Sequence, residues 1–465
     1  MNRWRRVAVT LVLALSVASC VNDTGITTTV TSGEGTAPPE SEETTTSPPR
    51  GDPVTELPTP PAGWSCFYLD GFVAVEAGQG EQAEAELEGL ITPVSAEAVL
   101  GDTPVLEQLD AIVHLFSTNG EDPLAIALAL ESAEIEASPL HAIGLAGHWR
   151  LKPGTDPISR PETEILQPTA TLGQSIIAVV DSGLMIQRLP DWMSPEHVLY
   201  DPALDTETVD DDPSKASHGT FVTSLIRQLA PESRVGFARA LPVPVGSIVG
   251  NAEQLPPEVE YVSTELHVAE ALVRLLERPE MTAENVVALN LSLGTYTCDP
   301  GEDPFMVTTL AALRLWLTSF PDSQVFAAAG NEVSTSPFWP AGLSAFELDQ
   351  AIPRDRMHGV GAVNETGEEV VWEGTATTAS ILAKAAPVRS WATNAAPGCD
   401  LLGLRGGVDL EGATVVAWSG SSFASAVMAA LTVAAVPPTS VGPPVQYGYN
   451  LSSLAFERHG SCDLP

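Results

Sequence analysis

Between residues 64 and about 154 the apolar positions change period several times. Runs at 67–75 and 111–116 read as strands, whereas 82–91 and 123–133 place Ala and Leu at helical spacing. A final strand is expected over 135–145. This pattern predicts a small α+β domain. From about residue 174 onward, strands rich in β-branched residues alternate with helices. Segments 175–181, 234–241, 286–293 and 324–329 fit the strands; 218–229, 263–277, 305–320 and 421–436 fit the helices. Such alternation predicts an α/β fold with a mainly parallel central sheet covered by helices on both faces. Sites in such sheets gather where strands end at their carboxyl side. No internal repeat is evident.

The two ends of the pattern differ from its middle. Residues 1–20 join a basic start (Arg3, Arg5, Arg6) to an apolar run over 7–15 and then Val17-Ala18-Ser19-Cys20. The run is too short to span a membrane, and the small residues before Cys20 resemble the lipobox of bacterial lipoproteins. That resemblance implies lipidation at Cys20, the rival being ordinary signal cleavage after Ala18; either exports the chain. Residues 21–62 are dominated by Thr, Ser, Pro, Gly and Glu and cannot form a core, so a disordered linker is expected. The formal charge of -39, from 60 acidic against 21 basic residues, repels phosphate backbones and anionic lipids. No nucleic-acid partner is therefore expected, and a membrane is met only through a lipid anchor.

Five short segments carry candidate chemistry. Ile176-Ile177-Ala178-Val179-Val180-Asp181-Ser182-Gly183 is a buried-strand run ending in a carboxylate and a glycine turn. Ser217-His218-Gly219-Thr220 sets an imidazole at a helix start, with Ser217 as its cap. An imidazole can take a proton from a hydroxyl near neutral pH when a carboxylate holds its tautomer. Trp418-Ser419-Gly420-Ser421-Ser422-Phe423-Ala424 precedes an apolar helix of small residues, where a backbone N–H faces developing negative charge. Ala327-Ala328-Ala329-Gly330-Asn331 ends a strand in an amide, and Asn290-Leu291-Ser292-Leu293-Gly294 ends another in Ser-Leu-Gly. Taken singly, each has a bland reading as a capped strand end, a surface histidine or an ordinary helix cap.

As an ordered set, Val-Asp-Ser-Gly, His-Gly-Thr, Ser-Leu-Gly, Ala-Ala-Gly-Asn and Gly-Ser-Ser-Phe-Ala resemble the motifs of subtilisin-like serine proteases over residues 150–436. The order Asp, His, Ser matches as well. The resemblance implies a three-layer fold with Ser422 as nucleophile, His218 as general base, Asp181 as orienter of the imidazole and Asn331 as oxyanion donor. It implies that Ser292, Leu293 and Gly294 pair with an extended protein or peptide substrate. Ala328, Ala329 and Gly330 would wall a pocket for the side chain before the cleaved bond, and their small size predicts an open pocket that favours a sizeable apolar side chain there. Lesser matches lie at Gly361-Ala362-Val363-Asn364 and Ala396-Pro397-Gly398. Phe221, Ser421 and Ala426 depart from the family's usual histidine, threonine and proline.

The expected organisation is a signal and lipobox at 1–20, a linker at 21–62, a small α+β domain at 63–165 resembling a prosegment, and the catalytic domain at 166–465. Self-cleavage is expected near 151–170. Apart from Cys20 there are Cys66, Cys298, Cys399 and Cys462. Four cysteines pair in three ways, and every full pairing ties the amino-terminal domain to the catalytic one. The acidic run 205–212 matches no oxygen-ligand loop; no cofactor or metal site is assigned, and calcium stays open. The functional expectation is an exported serine endopeptidase, cell-surface anchored or extracellular. The alternative is an exported lipoprotein that keeps the fold as a catalytically silent binding module.

Overall fold

The apolar run Ile176-Ile177-Ala178-Val179-Val180 is buried throughout and lies inside a nine-stranded sheet in the computed structural model of the chain. The structure describes residues 66–145 and 158–433. It omits 162–164, 187–188, 207–212, 241–242, 245–247, 251–260, 299–305, 346–351, 374–381, 406–413 and positions 166, 169, 335, 365, 388 and 390. The expected signal, Cys20, the linker and Cys462 lie outside the described residues. So does most of the stretch expected to hold a self-cleavage point.

The amino-terminal region comprises β1 (Phe67–Glu76), α1 (Gly80–Glu86), β2 (Thr92–Val94), α2 (Glu97–Leu100), α3 (Leu106–Ile112), β3 (Val113–Ser117), α4 (Pro123–Ser132) and β4 (Ala137–Leu145). Then follow β5 (Ile158–Arg160), β6 (Ile176–Asp181), β7 (Val198–Leu199), α5 (Pro213–Leu229), β8 (Arg234–Arg239), β9 (Val243–Pro244), β10 (Ile248–Gly250) and β11 (Tyr261–Thr264). Next come α6 (Glu265–Leu276), β12 (Val286–Leu291), β13 (Leu293–Gly294), α7 (Val307–Ser319), β14 (Gln324–Ala328) and β15 (Met357–Val363). The described chain closes with β16 (Glu369–Glu373), β17 (Leu382–Ala385), β18 (Asn394–Pro397), β19 (Leu401–Arg405), β20 (Thr414–Trp418) and α8 (Ser421–Val433).

The expected parallel core is present: β6, β7, β8, β12, β14, β15 and β18 pair in parallel, and β16 and β17 add an antiparallel edge. Alternation along β6 sends Ile176, Ala178 and Val180 into a core shared with α6 and α7. Ile177 and Val179 face α5 and α8 on the other side. The first ten residues of α8 are all buried, which its run of Ser and Ala makes sterically feasible.

The amino-terminal region does not stand apart. Its antiparallel sheet runs β2-β3-β1-β4 and continues into β11 and β9, while β10 joins β1 and β13 joins β4. Leu69, Leu115, Leu140 and Ile143 share the core that α6 and α7 make with the central sheet. A disulfide between Cys66 and Cys298 ties the region to the rest. Cys399 is disulfide-bonded too. Arg314 pairs with Glu76 at 2.7 Å.

Two expected elements are corrected. Residues 106–112 are helical, so the strand expected from 111 begins at Val113. The helix bearing His218 starts at Pro213, so Ser217 lies within the helix rather than capping it.

Candidate active site

Asp181 is the last residue of β6, and its carboxylate is fully buried. Oδ1 accepts the Ser182 N–H at 2.7 Å and lies 2.7 Å from Nδ1 of the equally buried His218. A buried carboxylate against Nδ1 holds the proton there and leaves Nε2 as the basic nitrogen. Nε2 is buried with no hydrogen-bond partner among the described residues. Gly219 makes this approach of helix to strand end feasible, because a Cβ there would stand 2.6 Å from Gly183 O. Thr220 closes the same turn, its Oγ1 accepting Met185 N–H at 2.9 Å. The Asp-Ser-Gly and His-Gly-Thr strings are thus two halves of one close contact.

Ser422 is the second residue of α8, and the imidazole lies against residues on both sides of it. Trp418 meets the His218 ring edge-on at 5.6 Å between centroids, and Phe423 lies 5.2 Å away. Phe221 packs 4.6 Å from Phe423 and 5.4 Å from Trp418 and completes an aromatic bed for the imidazole. The turn before Ser422 is held from beneath, since Gly420 N–H donates to Gly398 O at 2.7 Å. A Cβ on Gly398 would meet Gly420 O at 2.9 Å, which accounts for the glycine in Ala396-Pro397-Gly398.

Asn331 meets the same turn from β14. Gly330 takes φ +86, a backbone conformation suited to glycine, and turns Asn331 so that its Oδ1 accepts Ser421 N–H at 2.7 Å. The amide is thereby oriented, and its NH2 is the end that can donate. Arg389 donates to Ala329 O and Gly330 O at 3.1 and 3.2 Å, fixing the strand end. Sequence patterns missed Arg389, whose position in a loop carries no periodic signal.

Ser292 supports the turn that opens α8. Its Oγ receives Asn290 Nδ2–H and donates to Ser422 O, both at 2.8 Å, and its own carbonyl accepts from Ser422 Oγ at 3.2 Å. Asn290 was also missed, although an amide within a buried strand was a signal. Leu293 and Gly294, expected to pair with substrate, pair antiparallel with Leu145 and Gly144 at the end of β4. Asp181, His218, Ser422, Asn331 and Ser292 therefore come together, and all are at least 98% buried.

Phe338 packs on Ala328, one of the small residues expected to wall an open pocket, beside Tyr296. Tyr296 O–H donates to Glu332 Oε2 at 3.1 Å; burial first, and then the Glu332 charge, push its phenol well above the usual 10. Asp205 of the acidic run is taken up by Arg274 at 2.5 Å and by Arg278.

No family model and no curated protein matches this chain. Solved structures do. The MycP3 protease from the type VII (ESX-3) secretion system is 20% identical, over 61% of this chain and 84% of that one, at a TM-score of 0.33. MycP1 from Mycobacterium smegmatis is 16% identical over 61% and 77%, with a TM-score of 0.34. The self-cleaved protease domain of PatA is 17% identical over 56% and 79%, with a TM-score of 0.33.

Proposed function

We propose that the chain is an exported serine endopeptidase of the subtilisin type. The observation that carries this reading is the buried Asp181–His218 pair, pressed by Trp418 and Phe423 from both sides of Ser422, with Asn331 bonded to the same turn. In the reaction Ser422 Oγ exchanges the Ser292 carbonyl for His218 Nε2 and attacks the peptide carbonyl. His218 takes the hydroxyl proton and then passes it to the leaving amine, and water releases the acyl group by the same route. Asp181 stabilises the imidazolium. The Ser422 amide and Asn331 Nδ2 donate to the tetrahedral oxyanion.

The amino-terminal region acts as a prosegment. Its support is β4, whose Gly144 and Leu145 lie antiparallel on Gly294 and Leu293 as an extended peptide would. Backbone pairing of this kind suits a polypeptide and is of no use for a compact ester. The disulfide Cys66–Cys298 supports an oxidising compartment, in keeping with the export expected from residues 1–20. Anchoring through Cys20 is tested by Cys20→Ala, which should move the protein from the membrane to the soluble fraction.

The deciding experiment is labelling of the folded, processed protein by a fluorophosphonate probe, with Ser422→Ala as control. Labelling lost in the variant supports the reading, and cleavage of a denatured proteome by the wild type extends it to peptides. No labelling would favour the silent binding module.

A further inference from the structure

The strand that ends in Gly294 continues into Thr295, which exchanges two backbone hydrogen bonds of 2.8 Å with Trp339. This bridge carries Phe338 beneath the strand. A Cβ on Gly294 would stand 2.5 Å from Phe338 Cε1, and one on Gly330 would stand 3.1 Å from Phe338 Cγ. The ring therefore lies against both glycines, one in β13 and one just after β14. It is fully buried. Tyr296 packs beside it, its ring 5.1 Å from Phe338 and its hydroxyl tied to Glu332, whose Oε2 also accepts the Asn331 N–H at 3.1 Å.

We propose that Phe338 is the specificity-determining residue of this site, and that it restricts the substrate side chain before the cleaved bond to Gly, Ala or Ser. The proposal rests on the endopeptidase reading above. Packed interiors give way poorly, so a benzyl or isobutyl group could enter only by displacing Phe338, whereas a methyl group needs only a surface depression. Glu332 and the buried phenol add a polar rim that offers nothing to a long apolar side chain.

The test uses the full chain after processing and peptides that differ only in the residue before the cleaved bond. Wild type should cleave after Ala at least about 100-fold better in kcat/KM than after Phe or Leu. Phe338→Ala empties the space of one benzyl group, and cleavage after Phe should rise by about 100-fold. Phe338→Leu keeps more of the packing and should show an intermediate profile if the alanine variant does not fold. Fluorophosphonate labelling of each protein separates the two levels of the reading. Labelled wild type that cleaves after Phe or Leu as well as after Ala overturns the proposal, as do labelled variants with an unchanged profile. No labelling of folded wild type overturns the endopeptidase reading and this proposal with it.

Discussion

Replacing Asn331 by leucine separates the two tasks the structure gives that amide. The side chain is 2% exposed, and its Oδ1 is the acceptor for the Ser421 N–H at the start of α8. Leucine keeps the volume and leaves that buried N–H without this acceptor, a cost of about 1–3 kcal/mol in stability. The second loss falls only on the transition state, because the oxyanion charge that Nδ2 would meet does not exist in the bound substrate. Losing one such donor raises the barrier by about 2.7–4 kcal/mol, so kcat should fall roughly 100- to 1000-fold with little change in KM. Asn331→Asp is the informative partner, since a carboxylate still accepts from Ser421 but repels the oxyanion. Its stability should stay near wild type while its activity falls at least as far. Rates are measured per labelled Ser422, so unfolded protein does not contribute, and thermal melts run alongside. If Asn331→Leu melts early yet turns over at the wild-type rate per labelled site, Asn331 only supports the turn and the oxyanion role is wrong.

Three other outcomes follow from buried contacts. After self-cleavage the wild type should run as one band without reductant and two with it, whereas Cys66→Ser should give two bands under both conditions and lose about 2–4 kcal/mol of stability. Burial lowers His267 from its usual 6.5 to about 4, so its folded form stays neutral while the unfolded chain takes up a proton. The stability it supports is whole above pH 6.5 and declines by about 3 kcal/mol as pH falls towards 4; His267→Gln should flatten that part of a stability-versus-pH curve, and an unchanged slope would refute the assignment. Arg274→Met removes the guanidinium shared by the buried Asp205 and Glu270 carboxylates and should cost about 3–5 kcal/mol in denaturant melts, part of it recovered by adding Glu270→Gln.

What could be read along the chain was local. The cores of β6, β8, β12 and β14 announce themselves because their residues are apolar on both faces, and Asp181 and Asn331 because they end such runs. Helix α3 was misread because Ala111 and Ile112 run directly into Val113, and periodicity alone cannot divide a short helix from the strand it feeds. Asp205 opens an acidic run with no ligand spacing, yet the arginines that bury it come from α6 and the residues just after it, about 70 positions later. Phe338 was invisible for a similar reason. An aromatic residue in a loop has no period, and only the Thr295–Trp339 bridge brings it under Gly294. The small residues at Ala328–Gly330 carry no sign of what another segment packs against them.

The pairing of β4 also separates cleavage from release. One strand meets β11 through Ala142 and Ile143 and then β13 through Gly144 and Leu145, so the peptide on the active-site edge is continuous with a strand inside the amino-terminal core. Behind it, buried His141 lies 2.6 Å from Glu265 of α6 and accepts the Cys298 N–H at 3.3 Å, beside the disulfide itself. On the proposed reading, a cut beyond Leu145 would break one peptide bond and none of these contacts. The cut end would stay on the Leu293–Gly294 edge at an effective concentration that no free substrate matches. Access to Ser422 then depends on local detachment of Gly144 and Leu145 from β13, with the remainder of β4 still in its sheet. Those two residues end the strand's pairing and meet a strand of only two residues, and local opening begins at such ends. Turnover of added peptide should therefore be limited by that opening, and weakening the Gly144–Leu145 pairing should raise it without any loss of the disulfide-linked region.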